Sequence, residues 1–298
     1  MKYEFKAAAL VAAALLFALP AAAQQKPYEP QVGQAGKDVI WVPTPDEVVD
    51  RMLRMAQVTS NDLVFDLGAG DGKIAIAAAK KFGARSVGIE YNPEMAKHAQ
   101  GNAEKAGVNG RARIVNGDIF ATDFSQATVI TMYLLPALNL KLRPTILSMR
   151  PGTRVVSHSF TMEDWEPDET SSMEGRRAYF WLVPANVNGG WMLETGSDKA
   201  ELSFEQRFQK IEGSVGLGHT QGGLRDARLR GFNISFAYID NNGVRRDYTG
   251  RVTGGKMEGS FRADNNTGGR WSATKKLEKS GSEPDFHRLR AHCQEIGL

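Results

Sequence analysis

Short apolar runs alternate with segments of helical periodicity through the first part of the chain. Residues 63–67 form an almost unbroken apolar run, which predicts a buried strand, whereas residues 48–56 carry apolar side chains at helical spacing. Further strands are predicted at 86–90, 111–115, 127–133, 153–159 and 179–183, and further helices at 73–81, from 92 to the turn at 107–110, and at 137–149. Because strands that alternate with helices form parallel sheets covered on both faces, we predict an α/β, Rossmann-like, doubly wound and mostly parallel sheet.

The pattern changes after Gly189, where apolar and polar residues begin to alternate with a period of two. This alternation predicts antiparallel strands, and the sequences D-N-N-G at 240–243 and T-G-G at 253–255 predict hairpin turns between them. Six strands are predicted, at 191–194, 200–211, 228–238, 246–253, 256–261 and 270–274. We therefore expect a small antiparallel all-β barrel or sandwich to follow the α/β domain.

The two patterns divide the chain into an α/β domain at 38–188, an all-β accessory domain at 189–276 and a tail at 277–298, in which residues 286–296 are predicted to form a short helix. A chain of 298 residues is long enough for two domains. Residues 1–23 combine lysines, an uncharged apolar run and three final alanines, as a cleaved secretory signal peptide does. Residues 24–37 are polar and predict a linker. The expected location is the periplasm.

Composition narrows the choice of partners. The net charge of +3, without a basic run, argues against a nucleic-acid partner. The single cysteine excludes an internal disulfide, and the five histidines lack the spacing of metal ligands, so no metal is predicted. The oligomeric state stays open.

A glycine turn follows the first strand of the α/β domain. Gly68, Gly70 and Gly72 alternate with other residues, and this G-x-G-x-G spacing differs from the G-x-G-x-x-G of dinucleotide-binding turns. Asp66 precedes the turn and Asp71 lies within it. Because carboxylates repel a pyrophosphate, the turn favours a cationic ligand without phosphate.

Two more acids follow at strand ends. Glu90 ends the second strand about 20 residues after the first glycine, where such folds bind ribose hydroxyls. Asp118 ends the third strand beside Ile119, an arrangement suited to a flat heterocycle that carries an amino group.

The motifs D-L-G-A-G-D-G at 66–72, G-I-E at 88–90 and N-G-D-I-F at 116–120 resemble motifs I, post-I and II of class I S-adenosyl-L-methionine (SAM) methyltransferases. The resemblance implies SAM as the cofactor. It also implies that Glu90 binds the ribose and that Asp118 and Ile119 bind the adenine. The methionine portion would be held by Asp66, Gly68 and Gly70, with Asp71, Asn92 and Met132 as further candidates for the cofactor site.

Several later segments are similar to one branch of this class, the mitochondrial protein-lysine methyltransferases that act on the ATP synthase c-subunit and the adenine nucleotide translocase, with their bacterial relatives. These segments are V-P-T-P at 42–45, T-M-Y-L-L-P at 131–136, L-R-P at 142–144, P-G-T-R-V-V-S-H at 151–158 and D-W-E-P at 164–167. The similarity covers about residues 38–184, and members of the branch methylate lysines of inner-membrane proteins. The signal sequence and the C-terminal extension depart from the branch and leave the substrate open.

The resemblance implies a protein substrate, with a membrane protein as one candidate by analogy with that branch, and it places Tyr133 near the transferable methyl group. A lysine must lose its proton before it attacks, so Tyr133 is expected to position the amine and His158 to accept a proton. Trp41 and the residues up to Thr44 are expected to fold over the cofactor. Thr44 is also predicted to cap the first helix, with Pro45 at its first position.

Two alternatives stay open. One is a methyltransferase that acts on a small molecule or a lipid; methylation of nucleic-acid bases is disfavoured because Tyr133-Leu134-Leu135-Pro136 stands where N-P-P-[YF] would be expected. The other is a non-catalytic SAM-binding protein of the envelope. Export favours this second alternative, since SAM is made in the cytoplasm, whereas the intact motifs oppose it.

Overall fold

The computed structural model describes residues 28–276. The predicted signal peptide, the first residues of the predicted linker and the tail at 277–298 with its helix lie outside this range. Among the residues described, no helix is both long enough and apolar enough to span a bilayer.

Residues 28–188 contain four helices and seven strands. The helices are α1 Asp46–Met55, α2 Lys73–Phe82, α3 Pro93–Lys105 and α4 Pro136–Leu147, and the strands are β1 Leu63–Leu67, β2 Arg85–Glu90, β3 Ala112–Asn116, β4 Val129–Met132, β5 Arg154–His158, β6 Glu169–Met173 and β7 Arg176–Leu182. The sheet has the order β3-β2-β1-β4-β5-β7-β6. β1 to β5 are parallel, whereas β7 is antiparallel to β5 and β6 to β7. The predicted Rossmann-like α/β fold is confirmed.

The start of α1 differs from the prediction. Pro45 is the N-cap, no side chain caps the helix, and the helix begins at Asp46. Thr44 is buried, and its Oγ1 lies 3.2 Å from Nδ1 of His158. The hydroxyl group therefore serves the buried imidazole and not the helix terminus, because a buried polar ring needs a hydrogen-bond partner.

Strand β6 was not predicted. Its sequence, ETSSM, has no apolar alternation, and Ser171 is its only buried residue. The strand forms by pairing with β7, and Arg51 Nε donates a hydrogen bond of 2.7 Å to Ser171 Oγ. Tertiary pairing thus overrides a weak local preference for strand.

The second part of the chain forms a nine-stranded antiparallel sheet. Its strands are β8 Gly189–Thr195, β9 Asp198–Arg207, β10 Lys210–Leu217, β11 Thr220–Gly223, β12 Arg225–Arg230, β13 Asn233–Ile239, β14 Arg245–Thr253, β15 Lys256–Ala263 and β16 Gly268–Lys275. Their order is β11-β10-β9-β8-β16-β15-β14-β13-β12. β12 approaches β10, and the N–H of Leu224 donates to the carbonyl of Gly213 at 2.8 Å, so the sheet is a nearly closed barrel.

The architecture of this part is as predicted, but the number of strands is not six. The predicted strand at 200–211 is the hairpin of β9 and β10, which turns at Phe208, and the predicted strand at 228–238 is the hairpin of β12 and β13. β11 was also missed. The core of the barrel is aromatic, with the rings of Phe236 and Tyr248 stacked 5.0 Å apart. The division of the chain at residues 188 and 189 into separately folding domains stays a prediction.

Candidate functional site

A cavity of about 310 Å³ lies at the carboxyl ends of β1, β2 and β4. Its lining includes the glycine turn after β1, Glu90 at the end of β2 and Tyr133 after β4. One wall comes from residues 34–44. The carboxyl ends of parallel strands are the usual ligand site of such sheets, so this cavity is the candidate active site.

The glycine turn brings its main chain to the cavity wall. Gly68 and Gly70 have φ angles of 79° and 54°, which favour glycine. A Cβ atom on Gly68 would lie 2.9 Å from Leu134 Cδ2, and one on Gly70 would lie 2.4 Å from Trp41 Nε1. The N–H of Gly70 donates to Glu90 Oε2 at 2.8 Å. The turn is therefore a close-packed cradle that a side chain would fill.

Asp66 is a buried carboxylate beneath this turn, with 2% of its surface exposed. Burial raises the pKa of Asp66 to about 7; the hydrogen bond from Thr131 Oγ1 opposes the increase, and the charges of Asp71 and Glu90 add to it. Within residues 28–276 its side chain makes no ion pair, and Thr131 is its hydrogen-bond partner at 2.7 Å. Three neighbouring acids with one buried carboxylate favour a cationic ligand.

Glu90 and Asn92 organise the adjacent wall. Oε1 of Glu90 accepts from the N–H of Asn92 at 2.9 Å, and Oδ1 of Asn92 caps α3 by accepting from Glu94 N and Met95 N. Each oxygen of Glu90 accepts one main-chain N–H and keeps a further lone pair. The carboxylate can therefore still accept from two hydroxyl groups.

Asp118 and Ile119 line the same end of the cavity. Oδ1 of Asp118 accepts from the N–H of Phe120 at 2.9 Å, and Oδ2 lies 2.7 Å from Nζ of Lys37. The hydrogen bond from Lys37 lowers the pKa of Asp118. The Lys37 ammonium group also lies 4.6 Å from the centre of the Tyr91 ring.

The segment that carries Lys37 is not a plain linker. Residues 34–37 line the cavity, although the sequence assigned them to the linker at 24–37. The N–H of Trp41 donates to the carbonyl of Gln34, and the N–H of Gly33 to the carbonyl of Trp41, both at 2.9 Å. Residues 33–41 thus form a small hairpin against the glycine turn. The sequence predicted a cover over the cofactor that begins only at Trp41.

The other end of the cavity is largely apolar. Tyr133, Leu135, Leu138 and Phe160 line it, and the rings of Tyr133 and Phe160 are stacked 6.1 Å apart. Tyr133 is the only one of these that sequence analysis named as a site residue. Phe160 belongs to none of the motifs found in the sequence. Only its position, two residues after β5, indicated that it could lie near the cavity.

His158 and Met132 lie behind the cavity wall. His158 is 3% exposed, and its ring lies 4.0 Å from the ring of Tyr133. Burial, and then the charge of Arg176, lower the pKa of His158 to about 4. Met132 is fully buried in the core of the sheet. The structure therefore brings together the predicted cofactor residues except Met132, and places His158 beneath Tyr133.

The cavity residues fit SAM. Asp66, Asp71 and Glu90 suit the positive charges of its methionine portion, and glycine at 68 and 70 keeps the main chain of the turn at the cavity wall, where a side chain would clash with Leu134 or Trp41. The free lone pairs of Glu90 suit the ribose hydroxyls, and Asp118 with Ile119 suits the adenine.

Comparisons with known proteins agree with this geometry. A family profile described as "ANTKMT methyltransferase domain" matches residues 66–169. The "Protein-lysine N-methyltransferase" of Saccharolobus islandicus is 50% identical over 138 residues, which cover 46% of this chain and 86% of that protein. The lysine N-methyltransferase of the ATP synthase c-subunit from Mus musculus is 33% identical over 132 residues, which cover 44% of this chain and 53% of that protein. This chain thus spans about half the length of the mouse protein.

One solved structure is described as an RNA methyltransferase from Salinibacter ruber in complex with S-adenosyl-L-homocysteine. It is 50% identical, covers 49% of this chain and 96% of its own, and superposes with a TM-score of 0.48. The Saccharolobus enzyme also matches over most of its length. The chain is a SAM-dependent methyltransferase and belongs to the protein-lysine methyltransferase family.

Proposed function

We propose that this enzyme methylates the ε-amino group of a lysine in a protein substrate. The observation that carries the proposal is the 50% identity to a protein-lysine N-methyltransferase of which 86% is covered. The apolar end of the cavity supports it, because a lysine side chain has a long apolar stem and a single polar head.

The chemistry of the cavity suits an amine acceptor. SAM supplies a methyl group bound to a positively charged sulfur. A lysine in water is protonated at neutral pH and has no free electron pair. Leu135, Leu138 and Phe160 surround the acceptor end with apolar atoms, and such surroundings lower the pKa of an amine.

Tyr133 is the polar group at this end, and we assign it the positioning of the amine. Its hydroxyl group can accept from a neutral amine and orient the nitrogen lone pair. His158 has its pKa lowered to about 4, so it stays neutral at physiological pH. Its ring contact with Tyr133 and its hydrogen bond to Thr44 suit a support for the tyrosine.

The acceptor is a membrane protein in this proposal. Ile40, Val42 and Leu135 line the cavity and are 62%, 38% and 44% exposed, so its rim offers apolar contacts. An apolar rim suits an acceptor with an apolar surface around its lysine.

The segment at 1–23 leads us to propose export to the periplasm. Sequencing the N-terminus of the purified protein after cell fractionation tests this proposal, and an uncleaved cytoplasmic chain would refute it.

Methyl-labelled SAM tests the proposed acceptor. The full enzyme is incubated with membrane and soluble protein extracts, and labelled residues are identified by mass spectrometry. We expect methylated lysine in the membrane extract. Gly70→Val, whose side chain would fill the cradle, is the inactive control. Label in RNA, in lipid or in a small metabolite would overturn the acceptor class and leave the cofactor assignment intact.

A further inference from the structure

The hairpin between β9 and β10 reaches out of the barrel to the α/β part of the molecule. At its turn, Phe208 has a φ of 55°, which is unfavourable for a bulky residue. Its ring stacks on Trp165, with centroids 6.0 Å apart, and lies 5.4 Å from the guanidinium group of Arg143. Phe208 thus packs against the core of the first sheet.

The residues beside Phe208 contact the same loop of the α/β part. Arg207 pairs with Asp164 at 3.1 Å, and Lys210 pairs with Glu166 at 2.8 Å. Gln209 Nε2 donates to the carbonyl of Glu166, also at 2.8 Å. Each exposed ion pair alone contributes little. Together with the stack of the half-buried Phe208 ring on the buried Trp165, they bind the hairpin tip to residues 164–166.

That loop begins at the acceptor end of the cavity. Residues 159–166 follow β5, and the second of them is Phe160, which stacks on Tyr133. α4 holds the loop from another side: Asn139 Nδ2 donates to the carbonyl of Thr161 at 3.1 Å, and Arg143 Nη1 to the carbonyl of Met162 at 2.9 Å.

The loop has a strained main chain. Ser159 and Glu163 have φ angles of 64° and 55°, in the left-handed region that disfavours side chains. Such conformations are unfavourable for residues with side chains and persist only when their surroundings hold them. The surroundings here are α4 on one side and the hairpin on the other.

We propose that the β9–β10 hairpin is a positioning element of the active site. By holding residues 159–166, it keeps Phe160 beside Tyr133 at the acceptor end, so the barrel sets how the methyl acceptor is bound. The proposal rests on the proposed function only in placing the acceptor at this end of the cavity. Cofactor binding, at the other end, does not depend on the hairpin.

A matched pair of variants of the full chain tests this. Phe208→Ala removes the stack on Trp165. Phe232→Ala is the control. Phe232 also lies between the two sheets, because a Cβ on Gly152 would come 2.7 Å from the Phe232 ring. Gly152, however, precedes β5, whereas Phe160 follows β5. The two variants therefore disturb the contact of the sheets at opposite ends of one strand.

The Kd for SAM and the Tm are measured for each variant. The kcat and the apparent KM for the acceptor are measured with methyl-labelled SAM while the concentration of a detergent-solubilised membrane-protein extract is varied. We expect Phe208→Ala to change apparent KM or kcat by about fivefold or more, with the Kd for SAM within about twofold. Phe208→Tyr should keep wild-type kinetics. Phe232→Ala should also keep wild-type kinetics, although its Tm should fall by about as much as that of Phe208→Ala.

Equal acceptor kinetics in Phe208→Ala and Phe232→Ala would overturn the proposal, as would an equal loss of SAM binding in both. Should Phe208→Ala not fold, Phe208→Leu keeps most of the apolar volume without the stack and is compared in the same way. If the label enters RNA or lipid, the proposed acceptor class fails, while the same comparison on that acceptor still decides the role of the hairpin.

Discussion

Replacing Asp66 by asparagine should make the ligand-free protein more stable while it weakens SAM binding. Asp66 is 2% exposed, and burial raises its pKa from 3.8 to about 7. This difference corresponds to about 4 kcal/mol of free energy, the upper bound on what the charged form costs the folded state above pH 7. Asparagine has no charge, and its oxygen can still accept the hydrogen bond from Thr131.

The sign of the pH dependence follows from the direction of the pKa change. Between about pH 4 and pH 7 the folded state binds the Asp66 proton more strongly than the unfolded state does. The contribution of this group to stability is therefore greatest below about pH 4, falls as the pH rises to about 7, and is then constant. The free energy of unfolding that Asp66→Asn gains over the wild type should be largest at pH 8 and smaller by about 2–3 kcal/mol at pH 5.

Urea unfolding of the ligand-free protein at pH 5 and pH 8 measures this, with Asp198→Asn, at the exposed first residue of β9, as the control for removal of a charge. Titration calorimetry at pH 8 should show SAM affinity lower by about 10- to 100-fold in Asp66→Asn, the loss expected for a charge-assisted contact. A variant that is no more stable than the wild type at either pH would refute the buried-charge argument. Unchanged SAM affinity would show that Asp66 does not face the positive charges of the cofactor.

Three further changes test the rest of the site. Gly70→Val should abolish SAM binding in calorimetry, because its Cβ would lie 2.4 Å from Trp41 Nε1 and its φ of 54° disfavours valine; measurable heat would contradict this. Tyr133→Phe should lower kcat by about tenfold or more with the Kd for SAM unchanged, whereas equal turnover would remove the hydroxyl group from the mechanism. His158→Asn should leave the shape of the pH–rate profile above about pH 6 unchanged, since burial lowers the pKa of His158 to about 4. The loss of an inflection in that range would assign proton transfer to His158.

The sequence predicted the α/β sheet and the cofactor end of the cavity because local chemistry determines both. A buried parallel strand must be apolar, and a main chain that approaches a ligand requires glycine, as at Gly68 and Gly70. Glu90 and Asp118 follow strands directly, so their place at the sheet edge is fixed by the chain.

The missed features depend on contacts between distant residues. Phe208 has none of the usual turn chemistry, and the hairpin turns there with the ring packed on Trp165. Lys37 lies in a polar stretch and reaches Asp118 only because residues 33–41 fold back. Thr44 fits a helix cap by sequence, yet it is drawn to His158 by the need to satisfy a buried ring. No local pattern encodes such pairings.

The near-closure of the barrel has a consequence for association between copies. A sheet edge presents unpaired N–H and C=O groups that invite strand addition from another molecule. Here β12 approaches β10, with the N–H of Leu224 bonded to Gly213, so the edges of the nine-stranded sheet shield each other. The α/β sheet ends in β6, a polar strand of five residues. The barrel and the β6 edge of the α/β sheet thus offer poor templates for strand addition from another molecule, whereas β3 is the remaining open edge.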